Sequence, residues 1–247
     1  MTSINHKIIT LIPARSQSKR IINKNIKPLN HIPLIIYSIR SALSISHKSS
    51  VILSSDSKYY LDLAKDYNIN CLLRPKSLST DISTDYDVIN HCLSMYPAEY
   101  IVYLRPTTPF REPDILHKAL RLILDHPEAT GLRSIEEMTE SAYKSFILDG
   151  SIIKPAIKPN DININNIMII IRHKENLYKN DFTNLPNQLL PPTYRGNGYI
   201  DVVKAGAMER DSLFGISCLG FLTPPTIEID TPDDWEYAEW WSTHGGV

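Results

Sequence analysis

At 247 residues, 43% hydrophobic and 21% charged, the chain can form one sizeable α/β domain with a filled core. A net charge of −1 argues against bulk nucleic-acid binding, and three cysteines with no C-x-x-C argue against a disulfide framework or a thiolate zinc site. A reduced, cytoplasmic setting is expected, with no signal peptide and no apolar run of membrane-spanning length.

Ile8 to Ile12 reads as a buried strand that breaks at Pro13. Five cations follow before Pro28 or just inside it, Arg15, Lys19, Arg20, Lys24 and Lys27, with no acidic residue and no glycine among them. A basic loop leaving the C-terminal end of a strand is where open α/β sheets take ligands, and its charge selects an anion. A solvated basic surface loop is the other reading. Lacking glycine, the stretch is not a Walker loop, so a phosphate cradle here would rest on side chains more than on backbone.

Pro33 opens a helix to about Ile45, with Ile35, Ile36, Ile39, Ala42 and Leu43 on one face. VILSS at 51–55 is the next strand, and Asp56 at its end either caps a helix over 57–67 or faces the ligand. Asn70 to Leu73 is a short strand, followed by the polar loop LRPKSLSTDISTD and a helix capped by Thr84 or Asp85. Tyr100 to Leu104 has the unbroken apolar pattern of a central parallel strand; RPTTPFR at 105–111 and a helix over 113–124 come after it. Strands alternating with helices, with polar insertions after the strands, predict a doubly wound, mostly parallel α/β sheet.

The pattern changes near residue 130. Residues from about 140 to 192 hold short β-like runs, Ser145 to Leu148 and Ile167 to Arg172, and an Asp149-Gly150 hairpin signal. They predict an inserted β-rich arm with no core of its own, which packs on another subunit or lies as a loose flap. The chain returns to the sheet with YRGNGYIDVV (194–203), ISCLGFL (216–222) and TIEID (226–230). In the last of these, period two puts Glu228 and Asp230 on one strand face, which suits either a Mg²⁺ site or a solvent-facing edge. Thr231-Pro232-Asp233-Asp234 then starts a final helix through Trp241.

Taken in order, LIPARSQSKR, NKNIKPL, SSDS, LLRPKSLSTD, LRPTTPFR, YRGNGYIDV and IEIDTPDD resemble the CMP-sialic acid synthetase family of cytidylyltransferases. That family's pattern runs roughly IPAR-x-x-SK, KN, STDS, LRP, LQPTSPLR, R-x-NG and IDTxxD. The resemblance implies a nucleotide-binding α/β fold, usually a homodimer, that joins CTP to a 2-keto acid sugar with Mg²⁺ and releases pyrophosphate. It implies that Arg15 and Lys19 hold the triphosphate and act in catalysis with Asp230. Asn25 would sit near the nucleotide, and Arg74, Ser83 and Asp85 would flank the cytosine. Arg105, Thr107, Arg195 and Asn197 would lie on the sugar side, and Glu228 and Asp230 would bind the metal.

Three positions depart from that pattern. Arg105 stands where the family commonly has Gln, Glu228 stands for an Asp, and Asn197-Gly198-Tyr199-Ile200-Asp201 replaces NG-A-I-Y. The sugar-side changes favour a legionaminic- or pseudaminic-type acceptor over N-acetylneuraminate. An enzyme for sugar 1-phosphates would be expected to carry a G-x-G-T-R-like loop, and a glycosyltransferase an internal Asp-x-Asp; the first is lacking, and Glu228-x-Asp230 comes late in the chain.

Overall fold

β1 (Ile8–Pro13) is apolar on both faces, which is what a strand inside a sheet covered on both sides requires. In the computed structural model, which describes residues 7–157 and 182–245, it lies between β4 (Val51–Ser55) and β6 (Tyr100–Tyr103) and is parallel to both. β5 (Asn70–Leu73) extends the parallel run beyond β4. On the other side, β10 (Tyr194–Lys204) pairs antiparallel with β6, followed by β7 (Gly131–Glu137) and, parallel to β7, β11 (Cys218–Leu222). The described sheet thus has the order β11-β7-β10-β6-β1-β4-β5.

Helices cover the two faces. α1 (Leu34–Ile45) and α4 (Pro113–Leu124) share a buried cluster with Ile12, Leu53 and Val102. α3 (Asp85–Met95) covers the opposite face, where Val88, Ile89 and Cys92 meet Ile9, Leu11 and Ile101. Alternation along β1 sends Ile9 and Leu11 one way and Ile12 the other, so its single apolar run serves both layers. Before α1, β2 (Pro28–Leu29) and β3 (Ile32–Pro33) form a small hairpin whose turn residues Asn30 and His31 both have positive φ.

Two segments differ from their predicted form. The stretch 57–67 is a short helix, α2 (Lys58–Asp62), followed by a 3₁₀ turn at Lys65–Tyr67, and Ser57 rather than Asp56 caps it. Residues 226–230 are not a strand despite their alternating pattern: among the described residues no strand pairs with them, and Ile229 N–H instead donates to Thr107 O at 2.7 Å. Ile227 and Ile229 still share one side, packing with Ile21, Leu29, Leu34 and Trp235 of α5 (Pro232–His244), which runs a turn past Trp241. That cluster ties the basic loop, through Ile21, to the C-terminal segment.

The chain divides into two compact units, one made of residues through Ile135 together with Gly196 onward, the other spanning Glu136–Arg195. Within the second unit, β8 (Phe146–Asp149) and β9 (Ile152–Pro155) form an antiparallel hairpin that turns through Gly150 at φ 62°. This unit does have a small core, contrary to expectation: Tyr143 meets Phe182 edge to face at 5.5 Å, with Leu185 and Leu190 beside them. The predicted run Ile167 to Arg172 lies outside the described residues. Among the described residues, no helix is long and apolar enough to cross a membrane.

Candidate active site

Where β1 ends, the chain turns into the basic loop along one wall of a cleft of about 520 Å³ in the first unit. Arg15, Lys19, Asn25, Arg74, Ser83, Asp85, Arg105, Thr107 and Asp230, nine of the expected site residues, line it together. The loop is held from below. Asp56, neither a helix cap nor a free ligand-facing group, accepts from Ser16 N and Ser16 Oγ, both at 2.8 Å. Buried Asn25 donates from Nδ2 to Arg15 O at 2.9 Å, and the preceding Asn23 takes the left-handed conformation that asparagine tolerates.

Four of the loop cations engage two carboxylates in pairs. Arg15 Nη1 pairs with Asp81 Oδ1 at 3.0 Å, and Lys19 Nζ meets the same carboxylate. Lys24 Nζ donates to Ile229 O at 2.8 Å and to Asp230 Oδ1 at 2.9 Å, while Arg20 Nη2 lies 3.6 Å from Asp230 Oδ2. Lys27 is not a cleft residue; its ammonium sits 4.1 Å above the Trp235 ring. Lys19 and then Arg15 hold the Asp81 carboxyl below its usual value.

Across the cleft, Arg74 is 5% exposed, yet its Nε and Nη2 have no hydrogen-bond partner among the described residues. Burial lowers its pKa. Buried, unpaired guanidinium donors at a cleft wall are costly without an acceptor, and a ligand with oxygen or ring-nitrogen acceptors supplies one. Thr107 Oγ1 is likewise buried and unpaired. Ser83 Oγ accepts from Thr80 N at 3.0 Å and so shapes the loop before α3. Thr84 forms a reciprocal capping box with Asp87, which fixes the first turn of α3 and with it Asp85.

Arg105 does not point a bare charge into the cleft. Its Nη2 pairs with Asp85 Oδ2 at 2.6 Å and its Nη1 with Asp201 Oδ2 at 2.5 Å, and its guanidinium lies 4.8 Å over the Tyr103 ring. Burial pulls its pKa down, but Asp201 and Asp85 outweigh that and raise it. Arg111, in the motif RPTTPFR but given no role by the sequence, is buried and holds the loop by donating to the carbonyls of Arg105, Gly198 and Tyr199 and to Ser38 Oγ.

Three expected site residues stand apart from the cleft lining. Asn197 is buried, donating from Nδ2 to Thr223 Oγ1 at 2.6 Å. Gly198 after it has φ 67°, and a Cβ there would meet Thr108 Oγ1 at 3.1 Å and Glu228 Oε1 at 3.5 Å. Arg195 belongs to the second unit, where its Nη2 pairs with Glu136 Oε1 at 2.6 Å. Glu228 is exposed, its carboxylate beside Gly198. Among the described residues there is no group of three metal-ligating side chains. One or two carboxylates suffice for Mg²⁺ that shares substrate phosphates, and Asp230, acidic and cleft-lining, fits that role.

The cytidylyltransferase family matches residues 9–180. The N-acylneuraminate cytidylyltransferase of Escherichia coli O18:K1:H7 is 41% identical over 117 residues, which cover 47% of this chain and 28% of that protein. The chain therefore spans just over a quarter of the length of that relative. The CMP-N,N'-diacetyllegionaminic acid synthase of Legionella pneumophila is 28% identical over 243 residues, covering 94% of this chain and 95% of that one. Among solved structures, CMP:2-keto-3-deoxy-manno-octonic acid synthetase complexed with CTP has a TM-score of 0.68 at 14% identity, covering 97% of this chain and 100% of that one, a likeness of fold. The family match covers most of the chain and contains the basic loop, the Arg74 loop and RPTTPFR: this protein belongs to the cytidylyltransferase family.

Proposed function

We propose that the protein transfers the cytidylyl group of CTP to a sialic-acid-like 2-keto acid sugar of the legionaminic or pseudaminic type, releasing pyrophosphate. The observation that carries this reading is buried Arg74, whose unpaired donors share a cleft with Arg15 and Lys19 in a chain of the cytidylyltransferase family. The near full-length similarity to the Legionella legionaminic acid synthase supports the acceptor class.

The anomeric hydroxyl oxygen of the acceptor attacks the α-phosphorus of CTP. The O–P bond forms as the bond to the bridging oxygen of the β-phosphate breaks; pyrophosphate leaves with that electron pair, and the hydroxyl proton passes to solvent. Arg15 and Lys19 neutralise the charge that grows on the leaving group, and the loop fixed by Asp56 and Asn25 brings them to it already oriented. Arg74, Ser83 and Asp85 flank the base, and Thr107 and Asn197 serve the sugar side. Asp230, with Glu228, would hold Mg²⁺, which when bound supplies charge neutralisation on the phosphates. Free Cys71, Cys92 and Cys218 support a reduced cytoplasmic setting. The exposed apolar hairpin of the second unit supports a homodimer.

The test is pyrophosphate release from CTP and Mg²⁺ with N-acetylneuraminate, legionaminate, pseudaminate and the eight-carbon octulosonate. Release with legionaminate or pseudaminate, and none with UTP in place of CTP, is expected; release with N-acetylneuraminate alone overturns the acceptor class. Release that prefers UTP, or CTP turnover with the octulosonate alone, overturns the reading.

A further inference from the structure

Two of the positions that depart from the family pattern, Arg105 and Asp201, meet each other across 96 residues of chain. Arg105 spreads its two terminal nitrogens between carboxylates on different elements, Asp201 on β10 and Asp85 at the start of α3, with Tyr103 beneath the guanidinium plane. Tyr103 OH completes the arrangement by donating to Asp85 Oδ1 at 2.8 Å. One guanidinium between two carboxylates leaves the cluster with a net negative charge. An anionic acceptor therefore gains little from Arg105, whose hydrogen-bonding fork is already occupied.

Asp201 is 1% exposed, and Arg105 is the sole hydrogen-bond partner of its carboxylate among the described residues. A buried carboxylate is tolerated only with a well-placed counter-charge. Asp201 thus requires Arg105, whose loss would leave its carboxylate uncompensated inside the protein, whereas Arg105 without Asp201 would keep Asp85 alone and lose its tie to β10. What the pair reaches is Asp85, on the cleft wall that carries Ser83 and Arg74.

We propose that Asp201 is a positioning residue that acts through Arg105 to hold Asp85 at the nucleotide end of the cleft, and that Arg105 braces the site rather than binding the acceptor sugar. This rests on the CTP reading above. Arg105 links β10 to the first turn of α3, so loosening it at Asp201 loosens the wall against which the nucleotide lies.

The experiment measures CTP binding by calorimetry in the presence of Mg²⁺ and without acceptor. Asp201→Asn is expected to weaken CTP binding by about tenfold, the size of coupling that contacting charged groups show. Asp201→Glu, which keeps the charge, is expected to recover most of that loss. The double variant Arg105→Gln/Asp201→Asn removes both charges and is expected to keep a near wild-type melting temperature while still binding CTP weakly, an outcome that a purely structural role would not give. Wild-type affinity in both Asp201→Asn and the double variant overturns the proposal while leaving the CTP reading intact. A wild-type protein that does not bind CTP overturns the CTP reading and this one with it.

Discussion

Lys24 and Asp230, 206 residues apart, are joined by a 2.9 Å ion pair in which the lysine also caps Ile229 O. The lysine is 13% exposed and the carboxylate 41%, so water still reaches the acidic end of the pair. The contact links the basic loop to the C-terminal segment and occupies an oxygen that a divalent ion would need. Opposite effects are expected from its two ends. Lys24→Met keeps the aliphatic stem and should lower the Mg²⁺ concentration needed for half-maximal activity, whereas Asp230→Asn should raise it by at least about tenfold. Mg²⁺ titrations of pyrophosphate release check both, and an unchanged dependence in both variants would put the metal elsewhere.

Asp81 lies between the two cations proposed to hold the triphosphate, touching Arg15 and Lys19 at once. Ionised like any aspartate at neutral pH, it would compete with phosphate for both cations. Asp81→Ala should therefore tighten CTP binding severalfold at low salt. The gain should fade as salt rises and the Debye length falls to about 8 Å at physiological ionic strength. The melting temperature should barely move, as for an exposed surface group. Weaker CTP binding would mean instead that Asp81 presents the cations rather than occupying them.

The sheet was legible because its strands are written as unbroken apolar runs, as in Tyr100 to Leu104, and the basic loop because its charge falls straight after one of them. The segment 226–230 misled because alternation specifies a strand only when a neighbour supplies hydrogen bonds, and here Thr107 supplies one bond instead. Arg105 and Asp201 were each visible as departures, yet their pairing was not. Nothing in local periodicity records which residue of β10 comes opposite the end of β6, whereas the register Asp201↔Tyr103 brings them together. The place of Asp56 after a strand suits a helix cap or a ligand-facing group; Ser57 caps the helix and Asp56 holds Ser16, a long-range contact that local spacing does not record. Asp81 carried no signal beyond its place in a polar loop.

The last helix depends on Asp234, whose Oδ2 accepts from Asp230 N at 2.9 Å, Thr231 N at 2.7 Å and Thr231 Oγ1 at 2.8 Å. Burial raises its pKa, but these hydrogen bonds outweigh it and leave the group below its usual value. A carboxyl depressed in the folded state contributes stability above its unfolded pKa and loses it as pH falls through the folded one. Asp234→Ala removes the N3 half of the capping box that Thr231 opens and should cost about 1 kcal/mol at neutral pH. The gap in melting temperature between wild type and variant should hold down to about pH 5, begin to narrow near pH 4, where an unfolded aspartate takes up its proton, and close as pH falls through the lower folded value. A gap independent of pH would show that packing, not the ionised cap, carries the effect.

The hairpin of the second unit has one face without a charge. Register sets Phe146 opposite Pro155 and Leu148 opposite Ile153, so these four share a side, while Asp149 and Lys154 lie on the other with Ile147 and Ile152. Leu148 is 70% exposed and Ile153 59%. Two adjoining aliphatic side chains left in water on a two-stranded ribbon are a surface that a second copy can cover, and an isolated hairpin is marginal without such a cover. Light scattering coupled to gel filtration should give the wild type twice the 28.1 kDa chain mass. Leu148→Lys/Ile153→Lys should run as a folded monomer with an unchanged far-ultraviolet spectrum, because neither side chain is part of the Tyr143–Phe182 cluster. A variant that stays dimeric would move the interface off this hairpin, and a monomeric wild type would remove the arm's proposed role in dimerisation.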